Sequence, residues 1–188
     1  PEGLARTQQN LGLAYLALGD WERAESSFQS AIELYQKTHS RLYLALASMN
    51  LGNVHLRRKQ YDQAETVYRQ AKDVLEQTGY IWGLAQVLNN LGMACTGQEE
   101  WRQAGDFFRR SIALWRQLGE PVSQANAEDN LAEAYLLQHR WEEARAVLNQ
   151  ARVRLGGFEP VGRVGALLSD IDDHLRAVEA GAAKAPEA

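Results

Sequence analysis

The stretch NLGLAYLALGDWERAESSFQSAI, residues 10–32, returns in altered form from residues 50, 90 and 130. The period is 40 residues, with no insertion or deletion over four copies. Strict self-similarity of this length constrains the fold more than any other feature. Each copy is one small unit that cannot bury its own apolar surface, so copies must stack.

Aligned copies explain their own columns. Asn10, Asn50, Asn90 and Asn130 lead, followed by Leu11, Leu51, Leu91 and Leu131, then Gly12, Gly52, Gly92 and Ala132. A polar turn follows in each copy (LGD, RKQ, QEE, QHR), then Trp21, Tyr61, Trp101 and Trp141. The next columns are Ala24, Ala64, Ala104 and Ala144, then Phe28, Tyr68, Phe108 and Leu148, then Ala31, Ala71, Ser111 and Ala151. Spacings of three and four place such residues on one helix face. Each copy therefore reads as two helices, A and B, joined by a short turn. Glycine inside a helix costs about 1 kcal/mol against alanine. Its recurrence predicts a close crossing of A and B, with the Gly12 column opposite the Ala24 column and the Leu11 column buried.

These residues resemble the tetratricopeptide repeat. The matching signature is Leu11, Gly12, Tyr15, Ala24, Phe28 and Ala31 with their equivalents, over about residues 5–155. The usual repeat is 34 residues and closes with proline. Here the period is 40 and the proline is missing, so the helices should run longer. The 40-residue form with NLG is similar to kinesin light chain repeats. It also resembles repeat arrays attached to bacterial signalling ATPases and transcriptional regulators. The resemblance implies an all-α, right-handed α-solenoid of four helical hairpins with a C-terminal capping helix.

The expected organisation is one domain over 1–180, with repeats at about 5–42, 43–82, 83–122 and 123–156. GGFEP at 156–160 breaks the pattern, because glycine ends helices and proline does not continue them. A capping helix should follow over about 162–179, with Leu167, Leu168, Ile171 and Leu175 inward. Asp172 replaces the small residue of the repeat, as suits a solubilising end. The Ala-rich tail 181–188 reads as disordered. Pro1 in place of Met suggests a piece of a longer protein. Leu42, Trp82 and Val122 recur just before the A helices as staples; Trp82 could also touch a peptide.

By the same resemblance, the Asn column faces the inner wall of the array, where asparagine commonly bonds the backbone of an extended peptide. A carboxamide offers both donor and acceptor, so it can meet an amide N–H and a C=O together. Alternatively the asparagines bridge neighbouring A helices and organise the stack. The register adds Arg6, Gln9 and Leu13 to Asn10 in copy one. Copy two adds Leu46, Met49, Asn53 and Arg57 to Asn50. Copy three adds Gln86, Asn89 and Met93 to Asn90, and copy four adds Asn126, Asp129 and Glu133 to Asn130. This peptide-binding groove is rich in amides, basic at the start and middle, and acidic at the end. The Lys-rich carboxylate clamp of chaperone-binding family members is missing, which argues against an acidic C-terminus as ligand.

Other functions find little footing. Net charge is −4, where a duplex partner needs a basic face. No apolar run reaches the ~20 residues of a membrane span. One cysteine excludes an intrachain disulfide and suits the cytoplasm. There is no phosphate-binding loop, dinucleotide fingerprint or HExxH motif. His55 and Cys95 share the column of Tyr15 and Tyr135, but a zinc site needs three or four ligands and no others fall in register. His39, His139 and His174 read as solvated. The expectation is a protein- or peptide-binding module, neither enzyme nor metalloprotein, with no cofactor. A regulatory segment of a larger signalling protein is the second reading. Self-association through the first hairpin is a further expectation.

Overall fold

A computed structural model describes residues 2–183. Among them every regular element is an α-helix, and A and B helices alternate along the chain. The chain divides into two compact units, Pro1–Glu100 and Trp101–Ala188, taken here in turn.

The first unit holds α1 (Glu2–Ala17), α2 (Trp21–Lys37), α3 (Arg41–Arg57), α4 (Tyr61–Thr78) and α5 (Ile81–Gly97). Adjacent helices pack on one another as antiparallel neighbours must when joined by two- or three-residue turns. Each turn closes in the same way. One residue takes a left-handed conformation: Gly19 (φ 75°), His39 (55°), Lys59 (59°), Gly79 (67°) and Glu99 (61°). The next amide reaches back across the turn, as Gln60 N–H does to the His55 carbonyl at 2.9 Å and Glu100 N–H to that of Cys95 at 2.8 Å. This is the double bond of a Schellman stop, which satisfies helix-end carbonyls that otherwise lack partners.

The small column does not face the Ala24 column. A Cβ on Gly12 would lie 2.6 Å from the Phe28 ring, and one on Gly52 would lie 2.5 Å from the Tyr68 ring. The glycines lie under the aromatic column, one turn further along helix B. The missing Cβ makes room for a whole ring rather than for a backbone crossing. Phe28 and Tyr68 are fully buried in consequence. Ala24 instead packs in one cluster with Phe28, Leu51 and Val54. Leu42 and Trp82 are not ahead of their helices but in the first turn of α3 and α5.

The second unit holds α6 (Trp101–Leu118), α7 (Pro121–Leu137), α8 (Trp141–Leu155) and α9 (Gly162–Ala182). Its core joins Ala132, Ala144, Leu148, Ala151 and Leu155 to Leu167, Ile171 and Val178 of α9. Val122, in the first turn of α7, packs against the same core. Helix α9 keeps the 40-residue register: Leu167 and Ile171 take the places of Ala127 and Leu131. It is built as the A helix of a further copy. It runs three residues past the expected 179, so Gly181 is helical and sits against the Trp141 ring. Residues 184–188 of the expected tail lie outside the described ones.

Candidate functional site

The A helices set the register of every residue proposed for the groove, but they do not expose them equally. In the first unit Arg6, Asn10, Leu13 and Arg57 are exposed, while Gln9, Leu46, Asn50, Asn53, Gln86, Asn90 and Met93 are half-buried. Met49 and Asn89 are buried and present nothing to a ligand. In the second unit Asn126 and Asn130 are half-buried, Glu133 is exposed and Asp129 is buried. Met49, Asn89 and Asp129 share a column, and Asp129 shows why it closes: its carboxylate meets His174 of α9 at 2.8 Å. Asp129 thus turns towards α9 instead of outwards, and Asn89 bonds Met93 Sδ of its own helix. Leu11 departs in the opposite sense, being 41% exposed where Leu51, Leu91 and Leu131 are buried.

The asparagines divide into two kinds. Asn90 donates to Asn53 Oδ1 at 2.8 Å, and the buried Tyr68 hydroxyl donates to the same oxygen at 2.7 Å. One carboxamide oxygen thus ties α3, α4 and α5 together. Burial raises the Tyr68 phenol well above its ordinary range, so it stays a donor. Asn90 is therefore an organiser. Asn10 and Asn50, in the same column, form no side-chain hydrogen bond to the described residues. The sequence held the signal for this difference: only copy two pairs a tyrosine at position 68 with an asparagine at position 53.

The second unit holds two ionic contacts that the sequence reading missed. Glu128, 2% exposed, receives the Arg154 guanidinium on both oxygens, at 2.8 and 3.2 Å, and an amide hydrogen of Gln124 at 2.8 Å. A buried carboxylate needs such complete pairing. Copies two and three place Ser48 and Leu88 at the Glu position and Val74 and Leu114 at the Arg position. The simultaneous change of both in copy four is the signal. His174, read from sequence as solvated, is half-buried, and the hydrogen bond to Asp129 raises its pKa above the usual histidine value.

A third pattern lies at the A–B turns. In copies two, three and four the residue one turn before the stop touches the residue just ahead of the next helix. His55 Nδ1 lies 3.0 Å from Gln60 Oε1, and Arg140 stacks over the Tyr135 ring at 4.5 Å. Cys95 bonds Glu100 in the same way. Glu65, Cys95 and Glu100 each bring a ligand atom within 4.8 Å of the others. Burial first, and the two carboxylates next, push the Cys95 thiol up to about 12. Arg69 already occupies Glu65 at 2.6 Å. The thiol is thus a buried proton donor, and His55 is engaged elsewhere.

Helical hairpins repeated at fixed register, with polar side chains on the A helices and no strand among the described residues, define an all-α repeat protein. The tetratricopeptide repeat description matches residues 3–77 and 83–152, and the chain belongs to that family. Solved structures agree on the fold. BtubC (BKLC) from P. vanneervenii is 18% identical with a TM-score of 0.73, over 97% of this chain and 78% of that one. A putative kinesin light chain from Podosopora anserina, with nearly identical TPR-like repeats, is 16% identical at a TM-score of 0.73, over 100% and 99%. A substituted form of that same protein gives the same score and identity over 95% and 94%. No curated protein matches the sequence. Tetratricopeptide repeats are generally protein-interaction modules, and their fold is generally non-catalytic. No described helix is long and apolar enough to cross a membrane.

Proposed function

We propose that the chain is a non-catalytic, cytoplasmic interaction module that binds an extended protein segment along α1 and α3 of its first unit. The observation that carries this is the division of the asparagine column. Asn90 is consumed by the fold, whereas Asn10 and Asn50 keep donor and acceptor unused. Asparagine is a mediocre helix former, so two idle copies at helix centres need another use. Their carboxamides suit the N–H and C=O groups of a ligand backbone. Leu13, 42% exposed, offers an apolar contact beside them. Arg6 and Arg57, both exposed, favour acidic side chains in the ligand. Met49, Asn89 and Asp129 are left out of the site.

The test is selection from a displayed peptide library, followed by binding of the selected peptides to Asn50→Ala. Loss of about tenfold in affinity with unchanged thermal stability supports backbone reading, one hydrogen bond to the ligand contributing about 1–1.5 kcal/mol. Peptides that bind the variant equally well would place the site on another face.

A further inference from the structure

Helix α6 carries a charge that its counterparts in copies one and two do not. It has four arginines against one aspartate, whereas α2 and α4 are acidic. The reversal runs column by column. Arg102 stands where the other copies have Glu22, Asp62 and Glu142, and Arg116 where copies one and two have Gln36 and Glu76. All of these residues are exposed, so this face is open to solvent in each copy and its exposure in α6 is no gap in the stack.

The fold itself does not use the reversal. Arg102 lies in the first turn of α6, where the helix macrodipole disfavours a cation and where α2, α4 and α8 carry an acid. Neither Arg102 nor Arg116 forms a side-chain hydrogen bond or ion pair with the described residues. Arg69, the counterpart of Arg109, is neutralised by Glu65 of its own helix at 2.6 Å. In α6 that glutamate is Gly105, and Arg109 lies across it, with Nη2 3.1 Å from where a Cβ would stand. Arg109 pairs instead with Asp106 at 2.8 Å, and both side chains are more than half exposed, so an incoming carboxylate can reach the same guanidinium. A local preference broken without gain to the fold marks a surface with another use.

We propose that the solvent face of α6 docks an acidic segment of a partner protein, whose carboxylates meet Arg102, Arg109 and Arg116. Charge complementarity and spacing choose that occupant. The three arginines are seven residues apart on one face, about 10.5 Å per step along the helix. The small, exposed Ala113 between the last two lets a chain approach. A partner helix with acids at the same heptad spacing meets all three guanidinium groups in turn. A broad polyanion fits less well. The stripe is one helix wide, and α8 of the same unit presents exposed Glu142 and Glu143 in its own first turn. The net charge of −4 also opposes a nucleic-acid duplex or an anionic bilayer. This surface lies on another helix than the strip along α1 and α3 and does not rest on it.

Fluorescence anisotropy with a labelled synthetic peptide tests the surface. The probe is helical, with glutamate at every seventh position of an alanine–glutamine host. The expected result is binding that weakens as salt rises and falls at least about tenfold in Arg102→Glu with Arg116→Glu, two exposed pairs exchanged for repulsion being worth about that factor. Other copies hold an acid at both positions, so the double variant should melt no earlier than the parent. No binding at low salt overturns the proposal, as does undiminished binding by the double variant. So does loss in Arg57→Glu alone, which places the peptide on α3. Equal affinity for a peptide with its glutamates in one block, or tighter binding to phosphatidylserine vesicles or duplex DNA than to the probe, overturns it too.

Discussion

At the scale of single residues, identical side chains in identical register do different work. Asn90→Ala should destabilise the first unit by about 1–3 kcal/mol, because it removes one of the two bonds to the Asn53 oxygen. Asn50→Ala should change stability by less than about 0.5 kcal/mol, as a partly exposed group without partners does. Urea melts of the two variants side by side give both values, and equal losses would refute the division. Gly52→Ala is expected to cost about 1–3 kcal/mol, since its methyl would overlap the Tyr68 ring. Periodicity told which face of helix A a glycine occupies. It could not tell which residue of helix B stands opposite, because a stripe spans two turns and either turn offers a small-residue match. The Ala24 column was the plausible partner by size, and the ring of Phe28 is the actual one.

The elements were the most legible level. A polar triplet between two apolar stripes marks each turn, and the helices stop there. Less visible was the conformation inside the turn, since Lys59, Glu99 and His139 hold the left-handed position that Gly19 holds in copy one. A Cβ there costs roughly 1 kcal/mol or more. Lys59→Gly and His139→Gly should each raise the unfolding free energy by about 0.5–1 kcal/mol, the Gly chain entropy offsetting part of the gain. Chemical denaturation would show it. Between α7 and α9 an ionic contact adds to the apolar core. His174 has its pKa raised in the folded state by Asp129. Its contribution is therefore fully present below the unfolded histidine value and is lost as pH rises through the higher folded one. Comparing the protein with His174→Gln by melts at several pH values should show the largest stability difference on the acid side of neutrality, vanishing in mild alkali. A difference that grows with pH would contradict the assignment. The sequence concealed this pair because its members lie 45 residues apart and the column of His174 is otherwise apolar.

For the whole molecule, stability in a repeat chain is close to a sum of local terms and neighbour contacts. Arg154→Ala leaves the Glu128 carboxylate buried with only Gln124 beside it and should cost about 3–5 kcal/mol. Hydrogen exchange should record faster opening of α7 and α8, with α1 to α4 unchanged. Uniform acceleration along the chain would mean that the chain unfolds as one cooperative body. The all-α repeat was readable from the 40-residue periodicity, and the family from the resemblance of Leu11, Gly12, Tyr15, Ala24, Phe28 and Ala31 with their equivalents to its signature. What the period does not show lies in the places where the copies disagree.

Those disagreements bear on how such a gene can change. Position 53 of one copy meets position 90 of the next helix A, and His55, Cys95 and Tyr135 each fit the residue just ahead of their own following helix. Excising residues 41–80 keeps the reading frame, the period and every turn, yet it brings Leu13 to the place where Asn90 requires an oxygen. Duplication of a copy creates the converse mismatch. The four copies are thus no longer interchangeable tiles but an ordered text, in which unequal recombination damages the protein at the junction even when the cut falls cleanly between repeats.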